Sequence, residues 1–247
     1  MDNQQRFECI KEGYYHLEKS DLENALCCFS KAIDSYKNEG EDVVLVVQAL
    51  MGRSLIYRFQ KKNDLAISDL ERCLVLIKNP EEYISHNIRF DIGLLYFQKK
   101  DHVKALDFLV ASLDHSFTDA KQKVEIFKMI VGCCIYLEME EAAVEYSEKG
   151  LIYRDDPYFH AAKVIRIKNL RKAREYAEGA LLKFPRYVML RYHYAVILHQ
   201  SGEYELSLQQ LDLCLRQKPA FVHAEVFKNT VIREREKSDQ GRSVASA

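Results

Sequence analysis

The side chains that most often carry out chemistry are present in this chain of 247 residues, but their spacing does not form a site. His193 and His199 lie six residues apart in a helical pattern, roughly 240° around the axis, so they cannot share a metal ion. Glu138, Glu140 and Glu141 crowd one turn, where we expect solvated carboxylates. There is no glycine-rich phosphate-binding loop, no zinc-protease motif and no serine-hydrolase motif. The sequence therefore predicts a protein that is not an enzyme, with no catalytic, metal-binding or cofactor-binding residues and no cofactor.

A run of basic residues is the second feature that suggests chemistry. Between Lys163 and Arg191 there are nine basic residues against Glu175 and Glu178, whereas the whole chain has a net charge of −1. Such a run suits RNA, an acidic protein tail or an anionic surface. The candidate basic patch consists of Lys163, Arg166, Arg171, Lys172 and Arg174. The other interpretation is a solvated helical face that balances the acidic first fifty residues, and both stay open here.

The seven cysteines indicate the compartment. Most lie on apolar helical stripes, where a free cysteine behaves as a small hydrophobic residue, and no Cys-x-x-Cys or Cys/His spacing suggests zinc. The N-terminal residues MDNQQRFE lack the pattern of a signal peptide, and no apolar run reaches the ~20 residues that span a bilayer. We therefore expect a cytoplasmic protein with reduced thiols and no membrane span.

The elements that must position these side chains are helices. The segment from Tyr192 to Pro219 reads as two amphipathic helices joined by a tight turn around Gly202, because its apolar residues recur every three or four positions. Variants of this hairpin recur along the chain, and each needs stacked neighbours to bury its apolar faces. The predicted repeats cover approximately residues 4–38, 42–78, 81–115, 119–154, 156–184 and 187–218. A capping helix at 220–237 and a disordered tail at 238–247 follow.

Repeat four is the least regular of the six. Its Gly132 does not align with Gly13 and Gly93, which are the small contact residues of repeats one and three. We therefore expect the turn between Glu138 and Glu140 to be about one residue shorter than its counterparts.

The start of each second helix carries a resemblance to a known family. An alanine or a serine opens that helix in every repeat, at Ala25, Ala66, Ala105, Ala143, Ala173 and Ser207. Together with GYYHLEKSDLENALCCFSKAI and GLLYFQKKDHVKALDFLVASL, these positions match tetratricopeptide repeats, and the chain resembles that family over about 230 residues. The family's signature tryptophan is absent. The resemblance implies an all-α fold: an α-solenoid of about six helix-turn-helix repeats that form a right-handed superhelix with a C-terminal capping helix.

The resemblance also implies a mode of action. In such a solenoid the first helix of each repeat lines the concave side. In repeats one to three that lining comprises Phe7, Ile10, Tyr14, Leu17, Met51, Leu55, Arg58, Phe59, Asn87, Phe90, Leu94 and Phe97. We predict a non-enzymatic adaptor or scaffold for protein–protein interaction, which binds a partner helix or an extended peptide in this aromatic groove. The candidate partner-binding residues are Tyr14, Arg58, Phe59, Phe90, Phe97, Lys128, Tyr136, Tyr158, Arg166, Tyr192 and His193. The other interpretation is that these side chains only pack between successive helices.

Other partners can be weighed from the same residues. Relatives that grip acidic chaperone tails need cations at positions that hold Ile10, Tyr14, Gly52, Asn87 and Asp91 here, so we do not expect such a tail as the partner. The first alternative function is binding of RNA or an anionic surface through repeat five. The second is a self-assembling scaffold, in which the acidic first repeat of one copy meets the basic fifth repeat of another. An active site assembled from several repeats is a further alternative.

Overall fold

The protein is built from helices that follow one another with short turns. A computed structural model describes residues 1–36, 42–77, 83–113 and 119–245. These residues form thirteen α-helices and no strand, which confirms the predicted all-α fold class. The helices are α1 (Asn3–Glu18), α2 (Leu22–Asp34), α3 (Val43–Phe59), α4 (Asn63–Leu76), α5 (Tyr83–Gln98), α6 (His102–Ala111), α7 (Ala120–Tyr136), α8 (Glu140–Tyr153), α9 (Pro157–Val164), α10 (Leu170–Lys183), α11 (Val188–Gln200), α12 (Tyr204–Gln217) and α13 (Val222–Ala245).

The predicted boundaries differ from the structure mainly at the end of the chain. Helix α13 continues past Lys237, where we expected a disordered tail, as far as Ala245. Residues 238–245 contain no proline and one glycine, so nothing in them stops the helix from propagating. The predicted repeat boundaries at 38, 78, 81 and 115, and residues 246 and 247 of the predicted tail, lie outside the described residues.

Six of the helices in the described ranges begin at a side chain that caps the free backbone N–H groups of the first turn. Asp2 accepts from the backbone N–H of Gln5, and the Gln5 side chain accepts from the N–H of Asp2, which makes a complete capping box. Asp21, Asp101 and Asn169 each accept from the N–H three residues ahead in the same way. These caps explain why the short turns end abruptly in new helices.

The chain divides into two compact units, the N-terminal unit (Met1–Asp119) and the C-terminal unit (Ala120–Ala247). In the N-terminal unit the ring of Phe29 in α2 is fully buried and fills the space between α1 and α3. A Cβ added at Gly13 would lie 2.8 Å from that ring, and one added at Gly52 would lie 2.5 Å from it. Both glycines are therefore needed for the close approach of three helices to one aromatic side chain.

Two clusters of buried residues form the later part of the core of the C-terminal unit. The first joins α9, α10 and α11, where Ala173, Ala177 and Ala180 form a stripe of small residues against buried Leu190 and Ile197. The second joins the last three helices and contains the buried residues Ala195, Leu208, Leu211, Cys214, Phe221, Ala224 and Val231. Small residues on α10 let the short helix α9 and the longer α11 pack closely on the same face.

Five turns between paired helices share one backbone geometry. Ser20, Lys61, Lys100, Glu138 and Gly202 all have positive φ, between 58° and 77°. In each turn this residue donates its N–H three residues back, and the next residue donates five residues back, as Ser20 does to Leu17 and Asp21 to His16. This is a Schellman motif, which requires a left-handed residue after the last helical one.

The Schellman motif shows that the prediction for repeat four was wrong. Glu138 lies five residues before Ala143, the same spacing that separates Ser20 from Ala25, so the turn is of ordinary length. Val131, which is fully buried, stands at the position that Gly13 holds in repeat one. The misalignment of Gly132 therefore reflects a different contact residue and not a shorter turn.

Glycine is expected to stabilise the protein at the left-handed turn positions that now carry lysine. Because an L-residue with a Cβ is strained there, we expect Lys61→Gly and Lys100→Gly each to raise the free energy of unfolding by about 1 kcal/mol. The reverse change, Gly202→Ala, should lower it by a similar amount. Urea unfolding followed by circular dichroism measures all three variants. Equal stability of the wild-type protein and the lysine-to-glycine variants would contradict this account of the turns.

Candidate functional site

The first helices of the N-terminal unit share a face with exposed aromatic side chains. We define this aromatic face by the residues that recur at helical spacing on α1, α3 and α5: Phe7, Tyr14, Met51, Leu55, Phe59, Phe90, Leu94 and Phe97. Phe59 exposes 62% of its surface, Phe7 47% and Tyr14 39%, while the other five are half-buried. The exposed part is therefore concentrated on α1 and on the end of α3.

Two contacts hold the three helices of the aromatic face side by side. The Tyr14 hydroxyl donates to the backbone carbonyl of Gln48 at 3.2 Å, which joins α1 to α3. The Tyr14 ring also meets Phe29 edge-on, with centroids 5.0 Å apart. On the other side, Arg58 Nη1 donates to Asp91 Oδ1 at 2.9 Å and joins α3 to α5. The face is thus a surface of fixed geometry and not a set of independent side chains.

One residue expected to line the groove is not accessible. Ile10 on α1 is buried, with 3% of its surface exposed. The sequence pattern does not separate Ile10 from Tyr14, because both lie on the apolar side of α1 at helical spacing. The difference arises from tertiary packing, which the residue types on α1 do not reveal.

The Arg58–Asp91 pair is the polar feature of the aromatic face. Each side chain is about a quarter exposed, at 28% and 27%. Burial raises the pKa of the Asp91 carboxyl above its ordinary value, and the charge and hydrogen bond of Arg58 offset this only in part. At the seam between α3 and α5, the partly desolvated carboxylate of Asp91 therefore lies beside the guanidinium of Arg58.

The aromatic candidates of the C-terminal unit have different surroundings. Tyr136 at the end of α7 is exposed. The hydroxyl of Tyr158 donates to the backbone carbonyl of Lys128 at 3.2 Å, and burial raises the pKa of Tyr158 to about 12. Tyr192 meets Phe221 and the α13 residue Phe227 edge-on, so its ring belongs to the core between α11 and α13. Among these three tyrosines only Tyr136 has a largely exposed ring.

The cationic candidates of the C-terminal unit are engaged with acids of the same unit. Lys128 Nζ lies 2.9 Å from a carboxylate oxygen of Asp156. Arg166 Nη1 lies 3.6 Å from a carboxylate oxygen of Glu140. His193 lies half-buried near Arg166, and burial with that neighbouring positive charge lowers the pKa of His193 to about 4. His193 is therefore neutral at neutral pH.

Acidification is expected to destabilise the protein through His193. Its pKa falls from 6.5 when unfolded to about 4 when folded, so the unfolded state binds more protons between these values. Stability is fully present above pH 6.5 and falls as the pH drops through 4, by up to about 3 kcal/mol. Chemical unfolding at several pH values measures this. His193→Gln should flatten the profile, whereas His223→Gln, a change at an exposed site, should leave it unchanged.

The basic patch is largely neutralised by acids that lie nearby in the structure. Most of these ion pairs reach outside the basic run or lie within one turn of helix. The pairs are Lys163 with Glu148 at 2.5 Å, Arg166 with Glu140, Arg171 with Glu175 at 3.1 Å, and Arg174 with both Glu178 at 2.9 Å and Glu203. Lys172 is exposed on α10. The pairing favours a solvated helical face over a nucleic-acid surface, because a surface for phosphates needs cations that are free to pair with them.

The described residues also include an open cleft in the C-terminal unit. It has a volume of about 690 Å³ and lies beside the turn between α7 and α8, with Met139, Glu140, Glu141, Arg166 and Lys168 among its lining residues. No group of three or more histidine, cysteine or acidic side chains is placed to hold a metal ion anywhere in the described ranges. None of the helices in those ranges contains an apolar stretch that could span a bilayer.

Comparisons with known proteins place this fold. The sequence profile of the tetratricopeptide repeat matches residues 166–220. A crystal structure of YrrB, described as a tetratricopeptide-repeat protein with an unusual peptide-binding site, is 16% identical, with a TM-score of 0.60, over 81% of this chain and 97% of that chain. A tetratricopeptide-repeat protein from Parabacteroides merdae is 16% identical, with a TM-score of 0.64, over 96% and 89%. The Pseudomonas aeruginosa protein pilF is 14% identical, with a TM-score of 0.59, over 92% and 98%.

At these identities the solved structures establish the fold alone. No curated protein sequence matches the chain. Residues 166–220 match the sequence model of the tetratricopeptide repeat, and the chain as a whole shares its fold with solved tetratricopeptide-repeat proteins.

Proposed function

We propose that the protein is a non-enzymatic adaptor that binds a partner helix or an extended peptide on the aromatic face of its N-terminal unit. Tetratricopeptide repeats generally serve as scaffolds for protein–protein interaction, and the match at residues 166–220 supports this coarser function for the chain. The finer proposal concerns where the partner lies and what holds it there. A cytoplasmic location, expected from the cysteine pattern, is part of the same proposal.

The observation that carries the proposal is the exposure of Phe59, with Phe7 and Tyr14 on the same face. Aromatic side chains at the centre of an interface supply much of its binding energy, because each buries a large apolar area with few rotamers to fix. Single exposed apolar residues are ordinary, but several on adjoining helices form a patch that a partner can cover. YrrB, which shares this fold, has a peptide-binding site, and this supports a peptide as the class of partner.

The test is a crosslinked pulldown from the native cell with the wild-type protein and the variant Phe7→Ala/Phe59→Ala. Both rings are substantially exposed, so the variant should keep its helicity and its midpoint of thermal unfolding. We expect it to lose the dominant captured protein. With that protein purified, titration calorimetry should show weaker binding by about 1–3 kcal/mol per lost ring.

A matched control replaces exposed apolar residues elsewhere in the same unit. Val75→Ala/Val103→Ala removes side chains of α4 and α6 that are highly exposed but lie on second helices. This variant should capture the same protein as the wild type. If the Phe7→Ala/Phe59→Ala variant captures as much of the dominant protein as the wild type does, the aromatic face is not the binding site.

A further inference from the structure

The carboxylate of Asp91 has more acceptor capacity than its surroundings use. Its one hydrogen bond among the described contacts comes from Arg58 Nη1 at 2.9 Å, through the oxygen Oδ1. An ionised carboxylate has about four lone-pair sites, so a single donor leaves most of them open. The side chain is nevertheless 27% exposed, which leaves room for a further donor to reach it from the solvent side.

The Asp91 carboxylate is partly removed from water, so its negative charge is costly when Arg58 is its single hydrogen-bond donor among the described contacts. Burial raises the pKa of the carboxyl although Arg58 is in direct contact, so the desolvation of the negative charge is not fully offset. A partner that covers the aromatic face removes more water from Asp91 and increases this cost. A complementary donor on the partner would offset it, whereas an acidic or apolar side chain would not.

The net charge of the N-terminal unit favours a positively charged donor on the partner over a neutral one. Residues 1–119 contain twenty acidic and fifteen basic side chains, a formal charge of −5. A positively charged partner segment is therefore attracted over a longer range than a neutral one. A lysine or arginine also adds a direct Coulomb attraction to the carboxylate, which a neutral amide donor does not supply. Both arguments favour a cation over an amide beside Asp91.

We propose that the aromatic face binds a segment that places a lysine or arginine beside Asp91, next to its apolar anchors, and that it rejects an acidic side chain there. This inference rests on the proposed function and specifies its partner as an amphipathic basic segment. Phe59 and Leu94 would contact the apolar side chains of the segment. Asp91, at the seam with Arg58, would pair with its basic side chain.

The test uses a phage-displayed library of random 16-residue peptides, selected on the full-length protein. We expect the enriched peptides to share apolar residues at helical or alternating spacing and one basic position at a fixed distance from them. Selection on Asp91→Asn should keep the apolar pattern and lose the basic position. Asp107→Asn, the same charge change at an exposed site on α6, should leave both unchanged.

Synthetic versions of one enriched peptide measure how much the basic residue contributes to the binding affinity. Replacing its basic residue with glutamate should weaken binding to the wild-type protein about tenfold or more, and this difference should become much smaller with Asp91→Asn. Arg58→Gln leaves Asp91 without its one described donor and should increase the preference for the basic residue. This second variant keeps the test decisive if Asp91→Asn is unstable.

The outcomes separate the two proposals. Peptides that bind with apolar anchors and no basic position, and that are lost with Phe59→Ala, would overturn the charge preference and leave the binding face standing. Selection of the same peptides on the Phe59→Ala variant, or no enrichment at all, would count against the proposed function itself.

Discussion

Alanine in place of Phe29 is expected to lower the free energy of unfolding of the N-terminal unit by about 3–5 kcal/mol. The Phe29 ring is fully buried, and it is the side chain against which α1 and α3 both pack. Its removal leaves a cavity between three helices that cannot all move inward at once, because Tyr14 of α1 donates to the backbone of α3 and Arg53 of α3 donates to Ser30 of α2. Urea unfolding of the variant measures the loss.

The cause can be isolated by a double-mutant cycle with Gly52. A Cβ at Gly52 would lie 2.5 Å from the Phe29 ring, so Gly52→Ala alone should cost about 1–3 kcal/mol. In the Phe29→Ala background the clash is gone, and the same change should be stabilising, because alanine is favoured over glycine in a helix by about 1 kcal/mol. Gly179→Ala, in a helix position with no neighbour near the added carbon, is the control and should stabilise the protein in either background. Additive effects of the Phe29 and Gly52 changes would contradict direct packing between the two.

Loss of Asp69 is expected to have the second largest effect, about 3–5 kcal/mol. Arg53 of α3 donates from Nε and Nη2 to the two carboxylate oxygens of Asp69 in α4, at 2.8 Å and 2.7 Å. The Asp69 side chain is only 7% exposed, so Asp69→Ala leaves a guanidinium with little access to water in place of a bidentate pair.

Asp64 offers a matched control on the same helix. Its carboxylate pairs with Lys99, but the side chain is 83% exposed, so Asp64→Ala should change stability by no more than about 1 kcal/mol. Equal effects of the two aspartate substitutions in urea unfolding would refute the assignment of the large effect to burial. Replacing both members of the buried pair, as Arg53→Met/Asp69→Leu, should recover much of the stability lost with Asp69→Ala alone.

The order of helices could be predicted from the sequence because its signals are local. Apolar spacing, capping aspartates such as Asp21 and Asp101, and small residues such as Ala25 act within one or two turns of helix. The turn of repeat four was predicted wrongly because its geometry does not depend on such local residue types. A positive φ at Glu138 depends on the Schellman hydrogen bonds to α7 and is not visible in the residue type, since only Gly202 carries the expected glycine.

The sequence by itself determined the fold class, the family resemblance and the set of candidate side chains, because periodicity and family pattern depend on residues close together in the chain. Only the tertiary structure decided which candidates are available. Ile10 is buried while Tyr14 is exposed, Tyr192 packs against Phe227 of α13, and Arg174 pairs with Glu203 from the turn between α11 and α12. Arg58 and Asp91, far apart in sequence, become one polar feature at the seam of α3 and α5. Exposure and ion pairing depend on which distant helix packs alongside, and no local pattern specifies that.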